Sequence, residues 1–137
     1  MHAQCTAADR EELWASLLRD NPKSGAWLVD GDYNAITDAY EKREGCLFNP
    51  SEAIDFVQFL GEANLIHTWF FGASFTWCNN QHSSTRIWKQ LDMVLVNKGC
   101  HDTGLNLSLS HLTREPSNHA PLLISVATRL DNKLRPF

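Results

Sequence analysis

Between residues 6 and 19 the apolar side chains return every three or four positions, and Leu13, Trp14, Leu17 and Leu18 make one stripe against a polar background. That period predicts an amphipathic helix over residues 6–19. Thr6 is its expected cap, with Asp9 three residues on in a variant of the capping box. Asn21-Pro22-Lys23-Ser24-Gly25 ends it, and the β-favouring run Trp27-Leu28-Val29 follows and stops at Asp30-Gly31-Asp32. Such a run reads as a buried strand whose C-terminal end carries side chains into a cleft, where α/β architectures bind ligands. Asp-Gly is also a hairpin signal, so both readings stand at this point. Residues 34–50 are polar without a clear period and predict a long surface loop on the functional edge. Ser51 is the expected cap of a second helix reaching about Ala63, with Ile54, Val57, Leu60 and Gly61 on its packing face and Phe56 and Phe59 widening the stripe. From Leu65 the runs shorten. Phe75-Thr76-Trp77-Cys78, a polar stretch, and Ile87-Trp88 leading into Leu91 to Val96 predict two antiparallel strands joined by a loose hairpin. Residues 106–110 alternate, and residues 122–126 are apolar. A helix followed by a strand predicts a sheet with helices packed on it, an α/β fold. With no internal repeat, low-complexity tract or linker, residues 1–137 are expected to form a single domain.

At 43% hydrophobic and 20% charged residues, the composition excludes a disordered chain. No apolar run reaches membrane-spanning length and the N-terminus carries no secretion signal, so no membrane is expected and the default compartment is intracellular, nuclear or cytoplasmic. Cys5, Cys46, Cys78 and Cys100 are scattered without a C-x-x-C pair, which points to reduced thiols. The net charge of −4 argues mildly against a protein that grips nucleic acid through phosphates. Its distribution changes that picture. Residues 1–64 hold 5 basic and 12 acidic side chains, whereas residues 65–137 hold 7 basic and 4 acidic ones. A basic second half is compatible with phosphate binding on one surface, and equally with an ordinary solvated face.

Asp92 interrupts an otherwise apolar strand. A carboxylate there needs a partner, because an isolated buried charge costs several kcal/mol. Backbone amides, Lys89 or Arg86 would serve, and so would His119, which precedes an Ala-Pro step and an apolar strand in Ser117-Asn118-His119-Ala120-Pro121-Leu122. A lone histidine at a sheet rim is ordinarily a surface residue. One held by a buried Asp has a fixed tautomer and a stabilised charged form.

Gly31-Asp32-Tyr33-Asn34, then Trp88-Lys89-Gln90-Leu91-Asp92-Met93-Val94-Leu95, then Ser117-Asn118-His119-Ala120-Pro121-Leu122 resemble, in that order, the signature of the endonuclease/exonuclease/phosphatase superfamily. The likeness is nearest to the endonuclease domain of plant LINE-type non-LTR retrotransposons, and Phe75-Thr76-Trp77 and Arg10-Glu11-Glu12-Leu13-Trp14 fit it too. The resemblance implies a two-sheet α/β sandwich of the DNase I-like type and a metal-dependent phosphodiester hydrolase acting on DNA. It assigns Asp32 to orienting or deprotonating the attacking water and Asn34 to hydrogen-bonding the phosphate. Asp92 and His119 become a dyad aimed at a non-bridging phosphate oxygen. Hydrolysis of a phosphodiester needs just such an aligned water and donors directed at oxygens that gain charge.

Two departures from the family pattern bear on activity. Asn118 stands where the family has an Asp that helps bind the divalent ion, a weakened ligand position, so binding of the implied Mg2+ (or Mn2+) is expected to be impaired. The chain also matches only the C-terminal part of the family domain. Set against the family pattern, the first half with its metal-serving Glu is expected to be absent, and Met1-His2-Ala3 stands where a Val-Tyr-Ala segment is usual. A partial sandwich is expected to expose an apolar sheet face, calling for a homodimer or the missing N-terminal half as cover. The chain is therefore expected to be a weak or inactive endonuclease fragment. The alternative is a non-catalytic remnant that at most binds nucleic acid or a protein; a small-molecule phosphatase uses the same core residues.

Overall fold

The computed structural model describes residues 6–82, 84–114 and 117–128. Met1, His2, Ala3 and Cys5, on which some of the expectations fall, lie outside them. The helices are α1 (Ala7–Asp20), α2 (Ile54–Ala63) and the short α3 (Lys98–Asp102). The strands are β1 (Leu28–Asp32), β2 (Lys42–Arg43), β3 (Ile66–His67), β4 (Phe71–Gly72), β5 (Trp77–Cys78), β6 (Trp88–Lys89), β7 (Asp92–Val96), β8 (Leu105–His111) and β9 (Leu122–Thr128). They form three small sheets, ordered β1-β7-β3, β2-β6-β5 and β4-β8-β9. The fold is a mixed α/β arrangement, as the alternation of helical and strand-like patterns predicts.

Strand β7 is the centre of the molecule. Its odd-numbered side chains, Met93 and Leu95, join Trp14, Tyr33, Phe56 and Phe59 in a core between the sheet and the two long helices. Its even-numbered ones, Val94 and Val96, join Leu109, with Leu107, Leu122 and Ile124 from β8 and β9 packed alongside. A strand covered on both faces has no polar side to show, which is why the sequence over residues 93–96 is continuously apolar instead of alternating. The aromatic rings make the helical side dense. Trp14 stacks on Phe59 at 4.8 Å and on Phe56 at 5.2 Å between centroids, and its indole N–H donates to Asp55 at 3.2 Å, tying α1 to α2. The Thr6 cap forms as expected, its hydroxyl accepting from the Asp9 amide at 3.3 Å.

Three sequence expectations are corrected and one open alternative is settled. Residues 34–50 are not a bare surface loop. They hold a 3-10 turn at Ala39–Glu41 and β2, which pairs with β6, and Glu41 is buried, taking the Thr37 amide and hydroxyl at 2.8 Å each. The second helix is entered through a 3-10 turn, Pro50–Ala53, whose cap is Asn49 and not Ser51. Its packing face is also rotated: Phe56, Phe59 and Ala63 are buried, while Ile54 and Val57 are 62% and 50% exposed. The larger rings take the core because they remove more apolar area from water. Finally, Asp30-Gly31 is no hairpin turn. β1 runs through it to Asp32, with Gly31 at φ 147°, a backbone conformation that a side chain would oppose.

Among the described residues, Cys46, Cys78 and Cys100 are free thiols, and no helix is long and apolar enough to cross a membrane. The face of β7 away from the helices is covered by β8 and β9, and exposed apolar side chains sit elsewhere, notably Ile66, Trp69 and Phe71.

Candidate functional site

Antiparallel pairing of β1 with β7 runs from Leu28 opposite Val96 to Asp32 opposite Asp92. The last pair therefore sets two carboxylates directly across from each other at one end of the sheet, on the face away from the helices, because both lie in phase with Leu28, Val94 and Val96. Like charges in that position repel, so the pair calls for a donor or cation close by.

His119 answers that requirement. Its Nδ1 lies 2.8 Å from Asp92 Oδ2 and its Nε2 3.8 Å from Asp32 Oδ2. An ionised carboxylate only accepts, so Nδ1 carries the hydrogen of the short contact and the tautomer of the ring is set. The side chains of Asp32 and Asp92 are 10% and 14% exposed and that of His119 37%, so solvent reaches the group from the imidazole side.

The three are brought together by segments far apart in sequence. β5 carries His119: Trp77 and His119 form an isolated antiparallel bridge, Cys78 N–H donates to Asn118 O at 3.0 Å, and Ala120 N–H donates to Thr76 O. The Ser117 hydroxyl accepts from the His119 amide at 3.1 Å and shapes the turn. Thr76, fully buried, uses its hydroxyl oxygen to take both the Leu91 and the Asp92 amides at 3.0 Å, which pins the backbone at the carboxylate. The motifs contain Thr76 and Ser117 without assigning either a role. The only hint was that a Thr sits between two aromatic residues at the start of a strand, where its hydroxyl needs a partner if buried.

The remaining predicted residues take different positions. Asn34 follows Asp32 closely: its amide donates to Asp32 Oδ1 at 2.8 Å and its backbone sits at φ 48°, a conformation Asn tolerates. It lines a cavity of about 260 Å³ together with Arg10, Lys42, Glu52 and Lys89. Asn118 turns its side-chain oxygen to Asn80, whose Nδ2 donates to it. Asp32, Asp92 and His119, by contrast, each offer a ligand atom within 4.8 Å of the others. That set fits a divalent ion. Magnesium takes one or two carboxylates and keeps several waters, which makes Asp32 and Asp92 the residues that would hold it.

A second histidine lies near the site. His111, at the end of β8, is buried against Phe70 with ring centroids 3.9 Å apart, and its Nδ1 lies 2.7 Å from the Ala73 carbonyl. Desolvation holds its pKa below the ordinary histidine value, against the Ala73 bond and the Asp92 charge, which both favour the protonated form.

No protein-family model matches this chain, and no curated protein does. The functional reading consequently rests on the geometry above and on the order of the three motifs.

Proposed function

We propose that Asp32, Asn34, Asp92 and His119 form a phosphodiester-hydrolysing centre of the endonuclease/exonuclease/phosphatase type, acting slowly on DNA, in a partial DNase I-like sandwich derived from a retrotransposon endonuclease. The observation that carries the reading is His119, bonded to Asp92 through one ring nitrogen and turned toward Asp32 with the other. Asp92 fixes the ring through Nδ1, so that Nε2, when it carries a proton, can donate to a non-bridging phosphate oxygen as it gains charge. Asp32 lies near enough to align a water for attack on the same phosphorus and to take its proton. Asn34, two residues after Asp32, is the position to which the family resemblance assigns a further donor to the phosphate. A divalent ion held by Asp32 and Asp92, when bound, would neutralise charge on the phosphate and lower the pKa of a bound water.

Supercoiled plasmid incubated with Mg2+ or Mn2+ tests this. Slow nicking is expected, reduced at least about 100-fold in His119→Ala, in line with the usual contribution of a general acid or base. Nicking that survives the substitution, or none at all by the parent protein, overturns the proposal. A non-catalytic remnant is the second reading. It is favoured by Asn118, which lacks the charge of the family's acid and engages Asn80.

A further inference from the structure

The sheet β2-β6-β5 carries an unusual gathering of positive charge. Register places Arg43 of β2 opposite Trp88 of β6, and the Arg43 guanidinium lies 5.0 Å from the centroid of the Trp88 ring. Arg86, two residues earlier in the chain, lies 5.9 Å from that ring, and Arg114, arriving from beyond β8, lies 4.9 Å from it. Three separate segments thus deliver a guanidinium to one indole. Arg43 also sits 5.3 Å from the Phe75 ring, and Lys89 sits 5.9 Å from the Trp77 ring.

Among the described residues no carboxylate pairs with any of the three arginines. What holds them is the negative face of the ring together with carbonyl acceptors: Arg86 donates to Gln81 O, and Arg114 to Ser117 O and to the Asn80 side chain. Aromatic faces attract cations without neutralising them, so the cluster keeps its full charge. Packing on one ring alone gives no reason to gather three like charges with no acid paired to them among the described residues. Such an arrangement is stabilised when an anion arrives.

The cluster is also joined to the candidate centre. Arg114 bonds Asn80, Asn80 bonds Asn118, and Asn118 immediately precedes His119. These bonds tie the arginine cluster to the turn that carries His119. Guanidinium forks match the oxygens of phosphate and carboxylate bidentately, and a phosphodiester backbone presents such oxygens in a continuous row that several arginines can grip together.

We propose that Arg43, Arg86 and Arg114, arrayed on Trp88, form a backbone-phosphate clamp that holds a nucleic-acid strand beside the Asp32–Asp92–His119 centre without reading its sequence. The choice of ligand rests on the phosphodiester reading of that centre. Binding is therefore measured with catalysis switched off, so that the clamp and the chemistry can fail separately.

The probe is a fluorescein-labelled DNA duplex of random sequence, followed by anisotropy in EDTA with the His119→Ala protein across a KCl series. Each phosphate contact contributes about 0.9 to the slope of log affinity against log salt. The triple change Arg43→Gln, Arg86→Gln, Arg114→Gln is expected to lower that slope by about 2.7 and to weaken binding at low salt. The matching triple change to Lys retains charge and is expected to keep most of the slope. Equal loss in the Gln and Lys variants would mean the arginines matter only for packing on Trp88, and would overturn the clamp. So would an unchanged slope in the Gln variant, or labelled poly-glutamate binding as tightly as the duplex. If the parent protein fails to nick plasmid yet the Gln variant loses the slope, the clamp stands and the hydrolytic reading falls.

Discussion

One hydroxyl supports the candidate centre. Thr76 Oγ1 accepts two backbone amides in a fully buried position, one of them from Asp92 itself. Thr76→Val keeps the shape and removes the acceptor, leaving two buried N–H groups unpaired. A loss on the order of 2 kcal/mol in urea unfolding is expected, together with slower nicking, because the carboxylate that holds His119 loses its backbone anchor. His111 sets a pH response. Its folded pKa is depressed by burial, and His67 is depressed for the same reason, so the unfolded chain binds more protons than the folded one. Stability is then fully present above the ordinary histidine value of about 6.5 and falls as pH drops through it toward the depressed folded values. Thermal melting should decline from about pH 7 to about pH 5, and His111→Gln should flatten part of that slope. A melting temperature independent of pH in that window would contradict the burial argument.

At the scale of elements, turns and caps fix where strands begin and end. Asn97 closes β7: its side chain caps α3 by accepting from the Cys100 amide, takes the Trp27 amide at 2.9 Å and donates to the Gly25 carbonyl at 2.9 Å. This brings α3 against the turn that precedes β1, so closely that a Cβ on Gly99 would lie 1.9 Å from the Gly25 carbonyl oxygen. Gly99→Ala is expected to destabilise by about 3 kcal/mol, since backbone and not a flexible side chain must move; denaturant titration measures it. The same scale separates what was legible from what was not. The first helix, its Thr6 cap and β7 could be read because local period and cap chemistry are written in neighbouring residues. The phase of α2 could not. Ile54 and Val57 are as apolar as residues that became buried, and only the position of Trp14 on the facing helix selects Phe56 and Phe59. Residues 34–50 looked like a loop because a two-residue strand such as β2 has no period to detect.

In the whole molecule, the long helices and the β8–β9 pair cover the two faces of β7, while Ile66, Trp69 and Phe71 remain 66%, 92% and 70% exposed. Ile66 and Trp69 line a cavity of about 510 Å³. Such a patch should bind a hydrophobic dye such as ANS in the native state. Trp69→Lys is expected to lower that fluorescence while changing stability by no more than about 0.5 kcal/mol, as for other surface positions. Sequence by itself determined the helix–strand alternation, the apolar identity of β7 and the presence in fixed order of Asp32, Asn34, Asp92 and His119. Only tertiary structure decided that Asp32 lies across from Asp92, that β5 brings His119 between them, and that three arginines share one tryptophan. The reason is physical. Local periodicity and capping act over a few residues, whereas strand register and the closing of loops between distant segments follow from burying both faces of one strand at once.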